Sequence, residues 1–305
     1  AVCGMGGSHL GADILRAALA DQLKLPVTIV ADYRLPAWVD RRTLVVCSSY
    51  SGTTEETLAT LPAAVRRQAK IVAVTSGGRL AAQAKRRRLP LYLYRATENP
   101  SGQPRLGVAY GMMAMLACWR KLGLLKISEA DIQRLSTVAW EATKQYGAKK
   151  PIINNPAKQL AASWPNSIPL LIGAEWTSGN LHTFANQLHE NAKTYADWKL
   201  LPDLNHHLLE GLRHRAVTKQ IHALMILDTT YNVRTQKRFV LTTKILKQFG
   251  AKVSTYKPRG TTSLEKAVDL LAFGGYVSWY LAAARKVNPA DIPTINYLKA
   301  QLAKA

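Results

Sequence analysis

Cysteine, acidic residues and uninterrupted apolar runs are all scarce in this chain of 305 residues. The three cysteines, Cys3, Cys47 and Cys118, form no CxxC and no Cys/His ligand spacing. An odd, sparse set argues against a disulfide framework and fits a reducing cytosol. No unbroken apolar run approaches the ~20 residues of a membrane helix, so no bilayer span is predicted. No basic segment leads into an apolar stretch at the start, so no signal peptide is predicted and a cytoplasmic location is expected. The chain opens on Ala1-Val2-Cys3 without an initiating Met, and its N-terminus is read as incomplete.

The shortage of acids leaves 41 Lys+Arg against 19 Asp+Glu, a formal charge of +22. Such a surface can attract nucleic acid, an acidic membrane or an anionic substrate. The cations are spread along the sequence, densest at Arg66-Arg67, Lys85-Arg86-Arg87-Arg88 and Arg213-His214-Arg215, and there is no basic tail. A solvated cationic surface is the expectation over a dedicated nucleic-acid face. A nucleic-acid-binding protein, which rests on the charge alone, is a competing reading that predicts steeply salt-dependent binding. With 48% apolar and 20% charged residues the composition is that of a folded globular chain. The length suits one large domain or two medium ones.

Strand and helix patterns alternate. Val2-Cys3, Val27–Val30, Leu44–Cys47, Ile71–Val74 and Leu91–Tyr94 read as strands in the first half. Helices are predicted over His9 to about Leu23, Thr57–Lys70, Leu80–Arg88, Leu106–Leu122 and Glu129–Gln145. The second half repeats the theme, with strands Ile168–Gly173, Ile221–Leu227 and Lys252–Tyr256. Its helices are Ser178–Lys193, Arg234–Phe249 and Ser263–Arg285. This order indicates an α/β fold of mainly parallel sheets with helices on both faces. Lys149-Lys150-Pro151 and Asn154-Asn155-Pro156 punctuate the middle and mark the expected boundary.

Two turns carry anion-binding chemistry. Gly4-Met5-Gly6-Gly7-Ser8 joins a strand to a helix, where glycine lets the backbone approach an anion at the helix N-terminus. It matches neither GxGxxG with a following acid nor GxxxxGK[ST], so a dinucleotide or P-loop site is poorly supported. Ser48-Ser49-Tyr50-Ser51-Gly52-Thr53-Thr54-Glu55-Glu56-Thr57 follows a strand directly, with serine and threonine hydroxyls crowded around one glycine. A capping box explains one hydroxyl and one glutamate, not that density. A phosphate group is the expected occupant.

This second loop resembles the phosphate-binding loop of sugar isomerase (SIS) domains. Further motifs in the same order extend the resemblance over nearly the whole chain. They are Gly6-Gly7-Ser8, Gln103-Pro104-Arg105, Asn186 to Lys193, Leu204-Asn205-His206, Tyr276 to Ala282 and Tyr297-Leu298-Lys299. Within the superfamily the chain resembles the bifunctional phosphoglucose/phosphomannose isomerases. The resemblance implies two SIS domains, each a mainly parallel sheet flanked by helices on both faces. Residues 1–124 would form the first, 125–150 a helical connection, and 151–305 the second with a C-terminal catalytic segment.

An isomerase of this family would interconvert glucose 6-phosphate, and mannose 6-phosphate, with fructose 6-phosphate through an enediol(ate). It needs a base, a cation for the developing oxyanion and ring-opening groups, with no metal or cofactor. The resemblance assigns the base to Glu190, enediolate stabilisation to Arg105, and ring opening to His206 and Lys299. It assigns the phosphate to Gly7, Ser8, Ser49, Ser51, Thr54 and Thr57. It further implies a homodimer in which His206 serves the neighbouring active site; the adjacent His207 receives no role. Arg285-Lys286-Val287-Asn288-Pro289 departs from the family's arginine-glycine-valine-aspartate-proline, and Ala290-Asp291 from its threonine-proline. These departures touch acceptance of the mannose epimer. The alternative is a non-catalytic SIS sensor that binds a phosphosugar, which would not need Glu190, His206, Arg105 and Lys299 together.

Overall fold

The computed structural model describes residues Ala1–Lys304. They divide into two compact units. The first comprises Ala1–Val138, Glu175–Thr183 and Arg259–Asp269; the second comprises Ala139–Ala174, Phe184–Pro258 and the chain from Leu270 onward.

In the first unit the chain forms β1 (Val2–Cys3), α1 (Gly7–Ala18), β2 (Ile29–Val30), β3 (Leu44–Ser49), α2 (Glu55–Arg66), β4 (Lys70–Thr75), α3 (Gly78–Arg86) and β5 (Leu91–Leu93). Then come α4 (Val108–Lys121) and the start of α5 (Glu129–Tyr146). The strands make one sheet in the order β2-β1-β3-β4-β5, and every neighbouring pair is parallel. Val30, Cys3, Cys47, Ala73 and Leu91 lie opposite one another in register across all five strands. This row packs on Leu58, Leu61 and Ala64 of α2 and on Leu80 and Ala84 of α3. Cys3 and Cys47 thus serve as small apolar side chains, and burial pushes the Cys47 thiol up to about 12, away from any reactive thiolate. α1 packs against α4, where a Cβ on Gly11 would fall 2.5 Å from the Met112 nitrogen.

Two helices are shorter than the periodicity predicts. α1 stops at Ala18, and α2 stops at Arg66 because Gln68 turns left-handed at φ 56° and Lys70 already pairs in β4.

The second unit holds α6 (Pro156–Ser163), β6 (Ile168–Ala174), most of α7 (Ser178–Ala192), β7 (Asp197–Leu201), α8 (Leu208–Gly211) and α9 (Arg215–Thr218). It continues with β8 (Ile221–Ile226), α10 (Val233–Phe249), β9 (Lys252–Tyr256), the greater part of α11 (Ser263–Ala284) and α12 (Pro293–Leu302). Its sheet is again parallel, in the order β7-β6-β8-β9. Tyr256 stacks on Phe273 with ring centroids 3.7 Å apart, and Phe184 meets Phe273 edge-on.

The sequence reading misses β7 and takes the start of α6 for boundary punctuation. Asn155 is the N-cap of α6, accepting from the Ala157 and Lys158 amides at 3.1 Å, with Pro156 at the first helical position. A search for unbroken apolar runs does not catch α11. Among the described residues it is the one helix long and apolar enough by composition to cross a membrane, yet 56% of its most apolar window is buried inside the protein. That burial is the signature of a core helix.

Candidate active site

β1 and β3 are the centre of the first sheet's topology. The connection from β1 leads outward to β2 on one side, while β3, β4 and β5 build on the other. Such a switch point opens a crevice beyond the carboxyl ends of the two strands. The two loops singled out in the sequence leave those two strand ends: Gly4–Ser8 follows β1, and the serine-threonine loop follows β3.

Hydrogen bonds tie the loops into one cradle. The Ser48 hydroxyl donates to the Ser8 carbonyl at 2.6 Å, and the Tyr50 amide donates to the Ser8 hydroxyl at 2.9 Å. The hydroxyls of Ser49 and Thr54 lie 2.8 Å apart, as do those of Ser51 and Thr53. The Gly52 amide donates to Ser49 Oγ at 3.0 Å. Thr54 is the N-cap of α2, but its hydroxyl makes no capping bond to the helix. The first-turn amides of α2 are therefore uncapped by a side chain, as an anion-binding helix end requires. Thr57 is buried, with its hydroxyl 3.5 Å from the Ser48 carbonyl.

A third loop, after β4, clamps the cradle from the side. Gly52 and Gly78 both have positive φ, 69° and 65°, and Cβ atoms on them would meet the Gly77 oxygen at 1.9 Å and the Ser51 oxygen at 2.3 Å. Ser76 donates its hydroxyl to the Tyr50 carbonyl at 2.6 Å, and the Leu80 amide bonds the Gly52 carbonyl at 2.8 Å. The Thr75–Gly78 cluster reads in the sequence only as a turn.

Arg105 lies in a short 3-10 turn, Pro104–Leu106, and is buried. A Cβ on Gly7 would fall 2.7 Å from the Arg105 nitrogen, so the glycine turn and the arginine loop are in direct backbone contact. The guanidinium donates to Gln103 Oε1 at 2.8 Å. Asn99 fastens the loop by donating to the Tyr50 hydroxyl at 2.8 Å and the Gln103 carbonyl at 2.9 Å. Of the predicted residues, Gly7, Ser8, Ser49, Thr54, Thr57 and Arg105 are thus gathered in one place. Ser51 is exposed at the rim of the same loop. Ser48, part of the predicted loop, is a supporting residue, as is Asn99, to which sequence reasoning gives no role.

Behind the cradle, His9 follows Ser8 into α1 and is buried. Burial, followed by the neighbouring His182, holds it down at about 4, although Asp13 pulls the other way. The His182 Nδ1 lies 2.9 Å from Asp13 Oδ2, and Arg16 bonds Asp13 Oδ1 at 2.6 Å. Burial alone would raise the Asp13 carboxyl, but His182 and Arg16 outweigh it and leave it lowered. Gly179 lets the start of α7 lie against α1, since a Cβ there would meet the Asp13 carbonyl at 2.4 Å.

In the second unit Glu190 is half-buried in the last turn of α7. Its neighbour Asn191 is fully buried and donates to Ser278 Oγ of α11 at 2.9 Å; Ser278 in turn donates to the Gly275 carbonyl at 2.8 Å. Close approach of α7 and α11 requires Gly274, whose Cβ would lie 2.9 Å from the Phe184 ring. Lys193 ends α7 in a left-handed conformation, φ 50°, and folds its ammonium back to the carbonyls of Glu190 at 2.8 Å and Asn288 at 2.7 Å. A cation there complements the helix C-terminus.

His206 ends the short turn after β7 and is exposed. Asn205 beside it is held twice from α10, donating to Thr242 Oγ1 at 2.9 Å and accepting from Arg238 at 3.1 Å. Lys299 stands exposed on α12. Glu190, His206 and Lys299 thus occupy three separate elements of this unit. Among the described residues, no group of three or more His, Cys, Asp or Glu is placed to hold a metal ion.

Comparison with known proteins agrees with this architecture. Residues 153–302 match the model of the bacterial phospho-glucose isomerase C-terminal SIS domain. The chain is 32% identical to a bifunctional phosphoglucose/phosphomannose isomerase of Caldicellulosiruptor bescii, covering 99% of this chain and 89% of the relative. It is 30% identical, with the same coverage, to a protein of the same name from Aquifex aeolicus. Among solved structures, a hypothetical protein from Thermus thermophilus superposes with a TM-score of 0.75 at 18% identity, over 99% of this chain and 82% of that one. Tagatose-6-phosphate ketose/aldose isomerase from Escherichia coli does so with 0.71 at 14% identity, over 95% and 82%. These two likenesses describe the fold; the sequence relatives identify the lineage. The chain belongs to the bifunctional phosphoglucose/phosphomannose isomerase family.

Proposed function

We propose that this isomerase interconverts glucose 6-phosphate, and mannose 6-phosphate, with fructose 6-phosphate. The observation that carries the reading is the hydroxyl-lined cradle at the β1/β3 switch point, joined to a buried arginine through Gly7. Its Ser8, Ser49, Ser51, Thr54 and Thr57 suit the three oxygens of a phosphate monoester, which accept hydrogen bonds from hydroxyls and helix-terminal amides.

In this reading Glu190 removes the C2 proton of the open-chain aldose and returns it to C1. Both epimers collapse to the same enediolate, so one base serves glucose and mannose substrates. Arg105, permanently charged and shielded from water, stabilises the oxyanion. His206 and Lys299 carry the ring-opening protons, His206 serving the active site of a neighbouring copy in a homodimer. Residues 1–124 and 151–305 are proposed as the two SIS domains, with 125–150 connecting them. The family relatives carry the name of an enzyme, which favours catalysis over a phosphosugar sensor.

The test is fructose 6-phosphate production from glucose 6-phosphate and from mannose 6-phosphate, with Glu190→Gln as control. Turnover of both, lost in Glu190→Gln, is the expected result. A folded protein that binds both sugars and turns over neither would leave the sensor.

A further inference from the structure

Most of the cations behind the +22 charge lie outside the cradle. From Thr57 to Thr97 the sequence contains no acidic residue at all, while arginines and lysines recur through it. In the linear sequence these cations look dispersed; the fold collects them. In a parallel sheet the amino ends of the strands and the carboxyl ends of the helices share one edge. In the first unit that edge lies opposite the cradle, which sits at the carboxyl ends.

Three groups of cations meet there. Arg41 and Arg42 lie one residue before β3, whose first residue, Leu44, is in register with Lys70 at the start of β4. The Lys70 amide bonds the Thr43 carbonyl at 3.0 Å, so Arg42 and Lys70 are neighbours. Arg66 and Arg67 terminate α2. Lys85 to Arg88 terminate α3 and lead straight into β5, where the Pro90 carbonyl bonds the Ala73 amide at 2.9 Å. With strands ~4.8 Å apart, the starts of β3, β4 and β5, which these groups flank, lie within roughly 10 Å of one another. All these side chains are exposed. Among the described residues the one ion pair in the set joins Arg42 to Asp40. A cation or two at each helix end complements the macrodipole; a run of four after α3 exceeds that need.

An exposed aromatic residue lies in a loop tied to Arg67. Arg67 reaches into the loop before β3, donating to the carbonyls of Leu35, Pro36 and Val39. These bonds fix the backbone on both sides of Trp38, which is 51% exposed. Cations that track a backbone, together with a rigid exposed ring on which a base can stack, make up a single-strand binding surface. Arginine dominates the set, and its planar fork pairs with phosphate and stacks on bases better than lysine does. A membrane surface would instead need an exposed apolar helix face, and α3 buries its apolar residues Leu80, Ala81 and Ala84.

We propose that this amino-end face of the first unit binds single-stranded nucleic acid. The experiment is fluorescence anisotropy of the full chain with a labelled oligouridylate of about 30 nucleotides across a salt series, long enough to span the site size of such a surface. It compares the wild type, a triple variant (Arg86→Gln, Arg87→Gln, Arg88→Asn, the last because Arg88 has φ 53°) and Trp38→Ala. Fold and isomerase activity serve as controls, since none of these residues belongs to the cradle.

Three lost phosphate contacts should lower the slope of log affinity against log salt by about 2. At low salt we expect the triple variant to bind at least about tenfold more weakly, and Trp38→Ala about tenfold more weakly through lost stacking. No binding by the wild type at low salt, or equal binding by the triple variant, would overturn the proposal. So would retention on phosphatidylserine vesicles without binding to the oligonucleotide.

Discussion

The space where a Gly52 side chain would begin is occupied by the carbonyl oxygen of Gly77, 1.9 Å from an ideal Cβ. Two loops from neighbouring strands, β3 and β4, are thereby locked backbone to backbone, and the hydroxyls around Gly52 are held by that lock. Gly52→Ala meets both the steric contact and a left-handed φ of 69°, which alone costs a non-glycine residue about 1–2 kcal/mol. The variant should lose at least about 2 kcal/mol in urea titration. Any folded fraction should show a KM for glucose 6-phosphate raised about tenfold or more. Wild-type stability and KM would mean that the clamp is not rigid.

Next to Glu190, Asn191 anchors the end of α7 to α11. Ser278→Ala removes the acceptor that the buried Asn191 amide meets at 2.9 Å, at a cost of about 1–3 kcal/mol. If the bond orients the end of α7, kcat should fall severalfold with KM little changed, and Ser278→Thr should restore part of it. A parallel fall in stability with unaltered kcat would reduce the bond to simple packing.

The buried His9 gives stability a pH dependence of definite sign. Its folded value, about 4, lies below the ~6.5 of an unfolded histidine, so the unfolded chain binds the extra proton. Its contribution is full above pH ~6.5 and is lost as pH falls toward 4. At about pH 5 the loss relative to about pH 7.5 should be about 1–2 kcal/mol. His9→Leu should flatten this part of the urea-midpoint profile, leaving the acid limb below about pH 4 that comes from Asp13, whose carboxyl is lowered by His182 and Arg16. An unchanged slope across that interval in the variant would contradict this.

Asn205 links the His206 turn to α10. Thr242→Val keeps the shape but deletes the acceptor at 2.9 Å, at a cost of about 1 kcal/mol. Ring opening is the step assigned to His206, so the variant should be impaired with cyclic glucose 6-phosphate and less so when ring opening is bypassed with an open-chain analogue. Equal loss with both substrates would argue against that assignment.

Legibility varied with the range of the interactions. β3, β4, β6 and β8 announce themselves through runs such as Val45-Val46 and Leu170-Leu171-Ile172 that are buried in the sheet. β7 escaped because Asp197-Trp198-Lys199 is the partly exposed edge of its sheet and lacks β-branched residues. α6 escaped because an Asn-Pro start reads equally as a cap or a break. The two cradle loops were visible because their chemistry is contiguous in sequence. The clamp of Gly77 on Gly52 and the pairing of Asp13 with His182 were not, since nothing near either residue signals a partner 25 or 169 positions away.

The membership of the first unit bears on how the protein is made. Its parts include Glu175–Thr183 and Arg259–Asp269, so His182 reaches Asp13 only after most of the chain has been synthesised. At the ribosome's pace, the stretch from Ala139 to Asp269 takes on the order of ten seconds to emerge. Through the first third of that interval, until His182 is made, the cradle's strands are complete while Asp13 lacks its histidine. Expressing residues 1–138 alone should therefore yield a fragment less stable than the same unit in the full chain, as read by urea titration.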